Sequence, residues 1–377
     1  MNFTFTDEQI LIRDMAERFF RDDYTLEARR RHMALPGGFS RDVWKQYADM
    51  GWLGLGIPEE FGGFGGGWVE TAILMEAMGK GLALEPYVAT AVLGRSLLLL
   101  GAGDALKADL LPRLAGGDLI LAFAHAEPQG RYDPNEVETR AEKAGGGYRL
   151  TGRKCVAQHA GQADMIAVTA RTAGNPSDRL GITVFLLDAE APGLALTDYP
   201  TVDGLRAADL ALDGVSVPAD RILGSVDGGL ALAEAAIDRA AAMAAAEAAG
   251  LMAALTRQTV DYLKARRQFG RPLGDFQALQ HRMTEMYMQT ELTRSLAYMA
   301  AVRCDEGDAD AIARAASQAK VKAGRAGRLI GQEAVQLHGG MGVTDEMACG
   351  HYFKRLTMID HSFGDATHHL ERLAGAA

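Results

Sequence analysis

A single carboxylate, Glu247, stands in an alanine-rich run. Between Ala240 and Leu255 it is the only residue that can ionise. Alanine favours helix, so the run predicts a helix with small side chains on most sides. A buried carboxylate without a cation is a strong base, and such groups cluster in active sites. The residues one helical turn from it, none of them charged, are Met243, Ala244, Gly250 and Leu251.

Two other interpretations of Glu247 stay open at this point. Its side chain could face solvent on a helix that happens to be rich in alanine. It could also be buried and bonded to a residue of another helix. The spacing of residues along this helix does not reveal such a partner. Only a position close to a substrate would make Glu247 catalytic.

The histidines and cysteines do not have the spacing of a metal site. His361, His368 and His369 lie close together, but no acidic residue follows them at a ligand spacing. The three cysteines form no CxxC pair and have no metal spacing. They are expected to be free thiols in a reducing compartment, which favours a cytoplasmic protein.

Composition and charge exclude several classes of protein. The chain has 377 residues, enough for two or three domains, and a formal net charge of −10. An acidic protein is not expected to bind nucleic acid or an acidic membrane as its main partner. The longest apolar run, 240–255, is shorter than a membrane span and is divided by Glu247. The first twenty residues lack the apolar core of a signal peptide.

The pattern of elements along the chain is helical, then β, then helical, which predicts an α+β fold. The middle segment has short alternating runs, with hairpin-type connections expected at 144–148 and 212–215. It is expected to form a small antiparallel β domain, and the last segment a four-helix bundle. The predicted domains are 1–117, 118–226 and 227–377. The predicted C-terminal helices are 229–265, 276–305, 308–337 and 348–372.

Three stretches make the chain resemble the acyl-CoA dehydrogenases. They are MGWLGLGIPEEFGG near the start, ARRQFGRPLGDFQALQHRMTEM in the third segment and QEAVQLHGGMGVT before the last helix. The resemblance implies an FAD-dependent enzyme that desaturates an acyl-CoA thioester to a trans-2-enoyl-CoA and passes electrons to an electron-transfer flavoprotein. It also implies a homodimer or homotetramer, or a heteromer with a large subunit.

The resemblance assigns two groups of residues to FAD. Cations and backbone N–H groups suit a pyrophosphate, and glycines allow close approach of the backbone. The first group reaches the FAD of a neighbouring subunit and comprises Arg266, Gln268, Phe269 and Gln277. The second lines the adenosine end and comprises Gln336, Gly339, Gly340 and Gly342.

The middle segment departs from the family pattern around the flavin ring. The family's Thr-Glu-Pro is replaced by a sequence that begins with Ala126. Its flavin-stacking tryptophan corresponds to Val156, and the next flavin-facing threonine to Gln158. Polar contact to the ring is therefore expected from other side chains. The candidates are His125, Gln158 and His159.

The resemblance also frames the choice of the catalytic base. The reaction removes a proton from Cα, which requires a carboxylate in a dry site. The family's Tyr-Glu-Gly-Thr glutamate corresponds to Asp365, whose side chain is one methylene, about 1.5 Å, shorter. The motif's threonine corresponds to Thr367. Another branch places the base at a position that is Ala240 here. Glu247 lies nearly two turns further on the same face, and it is the favoured base, with Asp365 as its rival.

The backbone N–H of Asp365 is expected to help polarise the thioester carbonyl. One alternative function is a partner subunit of a heteromeric enzyme that lacks a base. Another is an acyl-CoA oxidase or a flavin monooxygenase on the same fold.

Overall fold

A computed structural model of the chain describes residues 5–375. The α-helices are α1 (Asp7–Asp22), α2 (Leu26–Met33), α3 (Arg41–Asp49), α4 (Trp68–Gly81), α5 (Arg95–Gly101), α6 (Asp104–Ala115), α7 (Gly229–Ala265), α8 (Gln277–Glu306), α9 (Ala309–His338), α10 (Ala348–His361) and α11 (Ala366–Gly375). The strands are β1 (Leu121–Ala124), β2 (Arg140–Ala144), β3 (Gly147–Gln158), β4 (Met165–Arg171), β5 (Ile182–Asp188), β6 (Leu194–Pro200), β7 (Arg206–Pro218), β8 (Ile222–Leu223), β9 (Arg267–Gln268) and β10 (Arg271–Pro272).

The middle segment forms one sheet, as predicted. Its strand order is β6-β7-β3-β2-β4-β5-β8, with β1 beside β4. Most neighbours are antiparallel, whereas β1 runs parallel to β4. Strands β4 and β5 are buried along almost their whole length, which explains their continuous apolar sequences.

The two expected hairpin connections have different outcomes. The first is confirmed, because Gly145 and Gly146 join β2 to β3 with φ values of 57° and 83°. A two-residue turn with two positive φ angles suits the twist of paired strands. The second is wrong. Strand β7 continues through Gly214, and its register with β3 shifts between Leu150 and Gly152, so the Asp-Gly pair forms a β-bulge.

The predicted C-terminal helices are confirmed for α7, α8 and α9 to within one residue. The prediction of one helix over 348–372 is wrong, because the chain turns between α10 and α11. Phe363 and Gly364 have φ values of 59° and 100°, outside the helical region. Asp365 then caps α11 by accepting a hydrogen bond from the His368 N–H at 2.8 Å.

The alanine-rich part of α7 lies against α4 at close range. A Cβ on Gly250 would lie 1.9 Å from the Glu76 carbonyl oxygen, and one on Gly79 would lie 2.2 Å from that of Glu247. Two helices can approach this closely only where their side chains are very small. The alanine run is therefore explained by helix packing.

Contacts divide the chain into two compact units. The helical unit contains the chain up to Arg31, Trp68–Ala83 and the chain from Ala241 onward, and the sheet unit contains His32–Gly67 and Leu84–Ala240. The predicted N-terminal domain thus contributes to both units, and the boundaries at 117/118 and 226/227 stay a prediction. Within the described part of the chain, no helix is long and apolar enough to cross a membrane.

Candidate active site

Glu247 is buried, and its carboxylate forms a two-point ion pair with Arg355 of α10. The Arg355 Nε donates to Glu247 Oε1 at 2.6 Å, and Nη2 donates to Oε2 at 2.7 Å. Glu247 is 5% exposed and Arg355 is 9% exposed. Planar, bidentate pairs of this kind are among the strongest charge-assisted hydrogen bonds in proteins. This geometry agrees with the interpretation that Glu247 is buried and bonded to a residue of another helix.

Arg355 is a residue that the sequence analysis missed. It lies 108 residues after Glu247, so no helical spacing links the two. A single arginine in a helix gives no signal of its partner. Because each carboxylate oxygen already accepts a charge-assisted hydrogen bond from Arg355, a substrate proton would have to reach a remaining lone pair beside the guanidinium.

Asp365 stands at the end of the turn between α10 and α11. Its Oδ1 caps α11, while within residues 5–375 its Oδ2 accepts no hydrogen bond and its backbone N–H donates none. The side chain is half-buried, and Thr367 in the first turn of α11 is exposed. Asp365 therefore has a carboxylate oxygen and a backbone N–H that make no hydrogen bond within the described residues.

Two buried side chains lie near Asp365: Lys320, which the sequence analysis missed, and His369, which it considered only as a metal ligand. The Lys320 ammonium is fully buried and donates to the Ile359 carbonyl and, at 3.3 Å, to the Asp360 carbonyl. Burial lowers the pKa of Lys320 to about 7. The His369 ring is 2.9 Å from the Phe363 carbonyl and 3.1 Å from the Ser317 hydroxyl.

The buried His369 predicts a loss of stability in acid. Burial lowers the pKa of His369 to about 3, below the ordinary value of 6.5. Between these two pKa values the unfolded chain binds one more proton than the folded chain. The unfolding free energy therefore falls as the pH falls, by at most about 1.4 kcal/mol per pH unit. Urea unfolding at pH 7.5, 5.5 and 4.5 should show that His369→Gln loses less stability on acidification than the wild type. The control is His361→Gln at an exposed position; equal slopes in wild type and His369→Gln would contradict the prediction.

The first group of residues predicted to bind FAD lies on and beside a small hairpin, β9–β10, with Arg266 just before β9 and Gln277 at the start of α8. Phe269 and Gly270 form its two-residue turn with φ values of 53° and 81°. The Phe269 side chain is 89% exposed. Arg266, Gln268 and Gln277 are exposed as well. A phenylalanine in a left-handed conformation that points into solvent is unfavourable unless something covers the ring.

The structure brings the two motifs that are predicted to bind FAD together in the helical unit. The Tyr262 ring stacks on the His338 ring at 4.5 Å between centroids, and the Tyr262 hydroxyl donates to the His338 carbonyl at 3.2 Å. Gln336, Gly339 and Gly340 are exposed. A Cβ on Gly339 or Gly340 would meet no atom within 4 Å, whereas Gly342 is packed against the Val335 carbonyl. Open backbone at the first two glycines allows a ligand to approach.

His338 supplies a separate test of whether this surface fits a cofactor. Its side chain is buried, and Nδ1 lies 2.8 Å from the Ala334 carbonyl. The other ring nitrogen, Nε2, has no hydrogen-bond partner within residues 5–375. Buried polar atoms without a partner are rare, so a polar group from outside this chain's described part fits here. The exposed ring of Phe269 and the open glycines fit a large planar cofactor in the same way.

The sheet unit brings together the residues expected near the flavin ring. The Cys155 N–H donates to the Ala126 carbonyl at 2.9 Å. This bond places the last residues of β3 beside His125 and Ala126. Burial lowers the pKa of His125 to about 4, so the ring is neutral at pH 7. Gln158 is half-buried at the end of β3.

A buried ion pair supports this part of the sheet. The Lys154 ammonium donates to Glu127 Oε1 at 2.7 Å and to the Thr169 hydroxyl at 2.9 Å. Burial lowers the pKa of Lys154 to about 8, although Glu127 opposes the shift. Lys154 holds the pKa of Glu127 down to about 2, against the effect of burial. Lys154 also donates to the His125 carbonyl at 3.4 Å, so the pair contacts the backbone of His125 directly.

Val156 occupies a strained position at a β-bulge. It has a φ of 52° and is 53% exposed, which is unusual for a β-branched residue. Its N–H donates to Asp209 Oδ1 at 3.0 Å, and the same oxygen accepts from the Tyr199 hydroxyl at 2.7 Å. Strain of this kind is found most often at functional sites.

Comparisons with known proteins identify the class. Family models of the acyl-CoA dehydrogenase N-terminal, middle and C-terminal domains match residues 6–118, 122–215 and 227–376. A probable acyl-CoA dehydrogenase, YngJ of Bacillus subtilis, is 30% identical over 99% of this chain and 98% of its own. The chain belongs to the acyl-CoA dehydrogenase family.

Solved structures agree with this assignment. Butyryl-CoA dehydrogenase from Megasphaera elsdenii is similar with a TM-score of 0.92 and 27% identity, covering 100% of this chain and 99% of that one. The ChsE4-ChsE5 complex from Mycobacterium tuberculosis is similar with a TM-score of 0.90 and 29% identity, covering 100% and 98%. The protein is an oxidoreductase, an FAD-dependent acyl-CoA dehydrogenase.

Proposed function

We propose that this chain oxidises an acyl-CoA thioester to a trans-2-enoyl-CoA with Asp365 as the base that takes the Cα proton. The observation that carries the choice of base is the hydrogen bonding of the two carboxylates. Both oxygens of Glu247 are bonded to Arg355, whereas Asp365 Oδ2 accepts no hydrogen bond within the described residues. A base needs an oxygen that can reach the proton.

The backbone of Asp365 supports the same assignment. Its N–H donates no hydrogen bond within residues 5–375, so it can polarise the thioester carbonyl. A hydrogen bond to that carbonyl stabilises the negative charge that develops when Cα loses its proton. One residue would then bind the carbonyl and hold the proton acceptor.

In the helical unit, the residues that would hold FAD are those of the two motifs. Arg266, Gln268 and Gln277 supply a cation and amides, and the open glycines allow close approach. His125, Ala126 and Gln158 would lie near the ring system, where a neutral His125 offers a donor or an acceptor without a charge. When bound, FAD supplies the acceptor for the hydride from Cβ.

The partners follow from the family. We propose an electron-transfer flavoprotein as the electron acceptor and an assembly of at least two chains. The stretches AFAHAEPQGRYD, SDRLGITVFLLDA and KRLTMIDHSFGDATHHLERL resemble the small subunit of pimeloyl-CoA dehydrogenase, which favours a dicarboxylyl thioester and a heteromer with a large subunit. The three cysteines form no disulfide within the described residues, and we propose a cytoplasmic location. The alternative of a catalytically incomplete partner subunit is not favoured, because the whole chain matches acyl-CoA dehydrogenases.

A panel of acyl-CoA thioesters tests the substrate class. The purified holoenzyme is mixed anaerobically with straight-chain, branched, dicarboxylyl and steroid side-chain thioesters, and flavin bleaching is followed together with enoyl-CoA formation. The proposal expects stoichiometric bleaching with at least one class, and fastest with a dicarboxylyl thioester. Bleaching by none of them would contradict desaturation. Rapid reoxidation of the reduced enzyme in air would instead favour an oxidase.

The exposed Phe269 predicts a specific effect on cofactor binding. Covering such a ring stabilises a complex by about 1.5–3 kcal/mol, so Phe269→Ala should weaken FAD binding roughly 10- to 100-fold. Titration of the apoprotein with FAD, followed by flavin fluorescence, measures the effect. Phe64→Ala, at a ring that is 66% exposed in the sheet unit, is the matched control and should leave FAD affinity unchanged. Equal FAD affinities for the Phe269 variant and the wild type would contradict the assignment of the hairpin to FAD binding.

A further inference from the structure

The turn between α10 and α11, residues Ser362–Asp365, has a backbone that needs support from its surroundings. Phe363 adopts a φ of 59° and Gly364 a φ of 100°. A Cβ on Gly364 would lie 2.6 Å from the His368 ring and 2.7 Å from the His369 ring. Residues in such conformations persist only where neighbouring groups fix them.

Lys320 fixes the start of this turn. Its ammonium, buried in α9, donates to the Ile359 and Asp360 carbonyls at the end of α10. The last carbonyls of a helix have no partner within the helix, and a cation there is favourable. The charged and titratable groups that face Lys320 are Arg355, Asp360, Asp365 and His369.

His369 fixes the middle of the turn. Because its ring is neutral at pH 7, one nitrogen donates and the other accepts. Nε2 lies 2.9 Å from the Phe363 carbonyl, which can only accept, so Nε2 carries the proton. Nδ1 then accepts from the Ser317 hydroxyl of α9 at 3.1 Å.

Asp360 fixes the end of the turn. Its Oδ1 accepts from the Ala366 N–H at 3.2 Å. Gly324 of α9 leaves room for this carboxylate, because a Cβ at that position would lie 2.0 Å from Asp360 Oδ1. Side chains that reach from α9, α10 and α11 therefore hold successive backbone groups on both sides of Asp365.

We propose that Lys320 and His369 are positioning residues for the reaction, which set the location of the Asp365 carboxylate and N–H through the backbone of the Ser362–Asp365 turn. The proposal rests on the proposed role of Asp365 as the base. Asp365 is one methylene shorter than the family's glutamate, so its reach depends on where the turn holds it. A misplacement of about 1 Å lowers a rate by roughly 100-fold.

Hydrogen exchange and flavin reduction test the proposal together. The variants are Lys320→Met, His369→Leu and His369→Gln in the holoenzyme, with Lys322→Met as the matched control. Lys322 lies on the same helix and bonds to Gln289. We expect amide exchange in a peptide covering 360–368 to be about tenfold faster in Lys320→Met and His369→Leu, with peptides of α8 unchanged. Flavin reduction at saturating substrate should fall about 10- to 100-fold, with little change in substrate affinity.

The conservative variant separates positioning from folding. His369→Gln keeps an N–H donor for the Phe363 carbonyl and should retain the reduction rate within about threefold. If Lys320→Met does not fold, the flavin reduction rates of His369→Leu and His369→Gln still test the proposal. Faster exchange at 360–368 with a normal reduction rate would overturn the proposal. If Asp365→Asn itself reduces its flavin normally, the proposed base is wrong; if Asp365→Asn is slow but His369→Leu is normal, only the positioning role is wrong.

Discussion

Replacing Arg355 by methionine should lower the unfolding free energy by about 3–5 kcal/mol, because it leaves the buried Glu247 carboxylate without a partner. Glu247 is 5% exposed, and both its oxygens accept from Arg355. Replacing both residues, with Glu247→Leu and Arg355→Met, should recover most of the loss, since a buried pair can often be exchanged for apolar side chains. Urea unfolding of the four proteins gives the coupling energy.

A surface pair provides the control for this cycle. Arg257 and Asp261 form an i,i+4 pair with side chains 79% and 57% exposed. Arg257→Met should change stability by less than about 0.5 kcal/mol. If Arg355→Met is as mild as Arg257→Met, the ion pair does not persist in solution. Glu247 would then be available for chemistry, as the alanine-rich helix first suggested.

Asp365→Asn is expected to slow flavin reduction by about 10²- to 10⁴-fold, the usual contribution of a general base. Asparagine caps a helix about as well as aspartate, so α11 and the turn before it should be preserved. Stopped-flow bleaching at saturating acyl-CoA measures the rate, and FAD content and melting temperature are compared with the wild type. Asp365→Glu, which restores the family's side-chain length, should keep measurable activity.

Two variants make this experiment decisive. Asp308 caps α9 in the same way, by accepting from the Ala311 N–H at 2.8 Å, so Asp308→Asn controls for a change of cap charge. Glu247→Gln tests the rival base directly. If Glu247→Gln is folded, holds FAD and loses the reduction step while Asp365→Asn keeps it, the two assignments must be exchanged. If both variants reduce their flavin at the normal rate, another group takes the proton.

Much of the fold follows from local pattern. Helices α7, α8 and α9 repeat apolar residues over about 30 positions, and their ends were predicted to within one residue. The break between α10 and α11 was not predicted, although Gly364 and Asp365 are residue types typical of a helix end and of a helix start. The positive φ of Phe363 is held by side chains from other helices, and that support is not visible in the local sequence. The bulge at Gly214 was mistaken for a hairpin because Asp-Gly suits both.

The sequence by itself determined the family, and it predicted the two FAD motifs and a lone carboxylate in an alanine-rich helix. Those features depend on residue type and on spacing within one element. The tertiary structure alone decided what that carboxylate meets, because Arg355 lies 108 residues away on another helix. It also decided that Lys320 and His369 surround the turn that carries Asp365. Pairings between distant parts of a chain depend on how helices pack, and the period of a single helix does not contain that information.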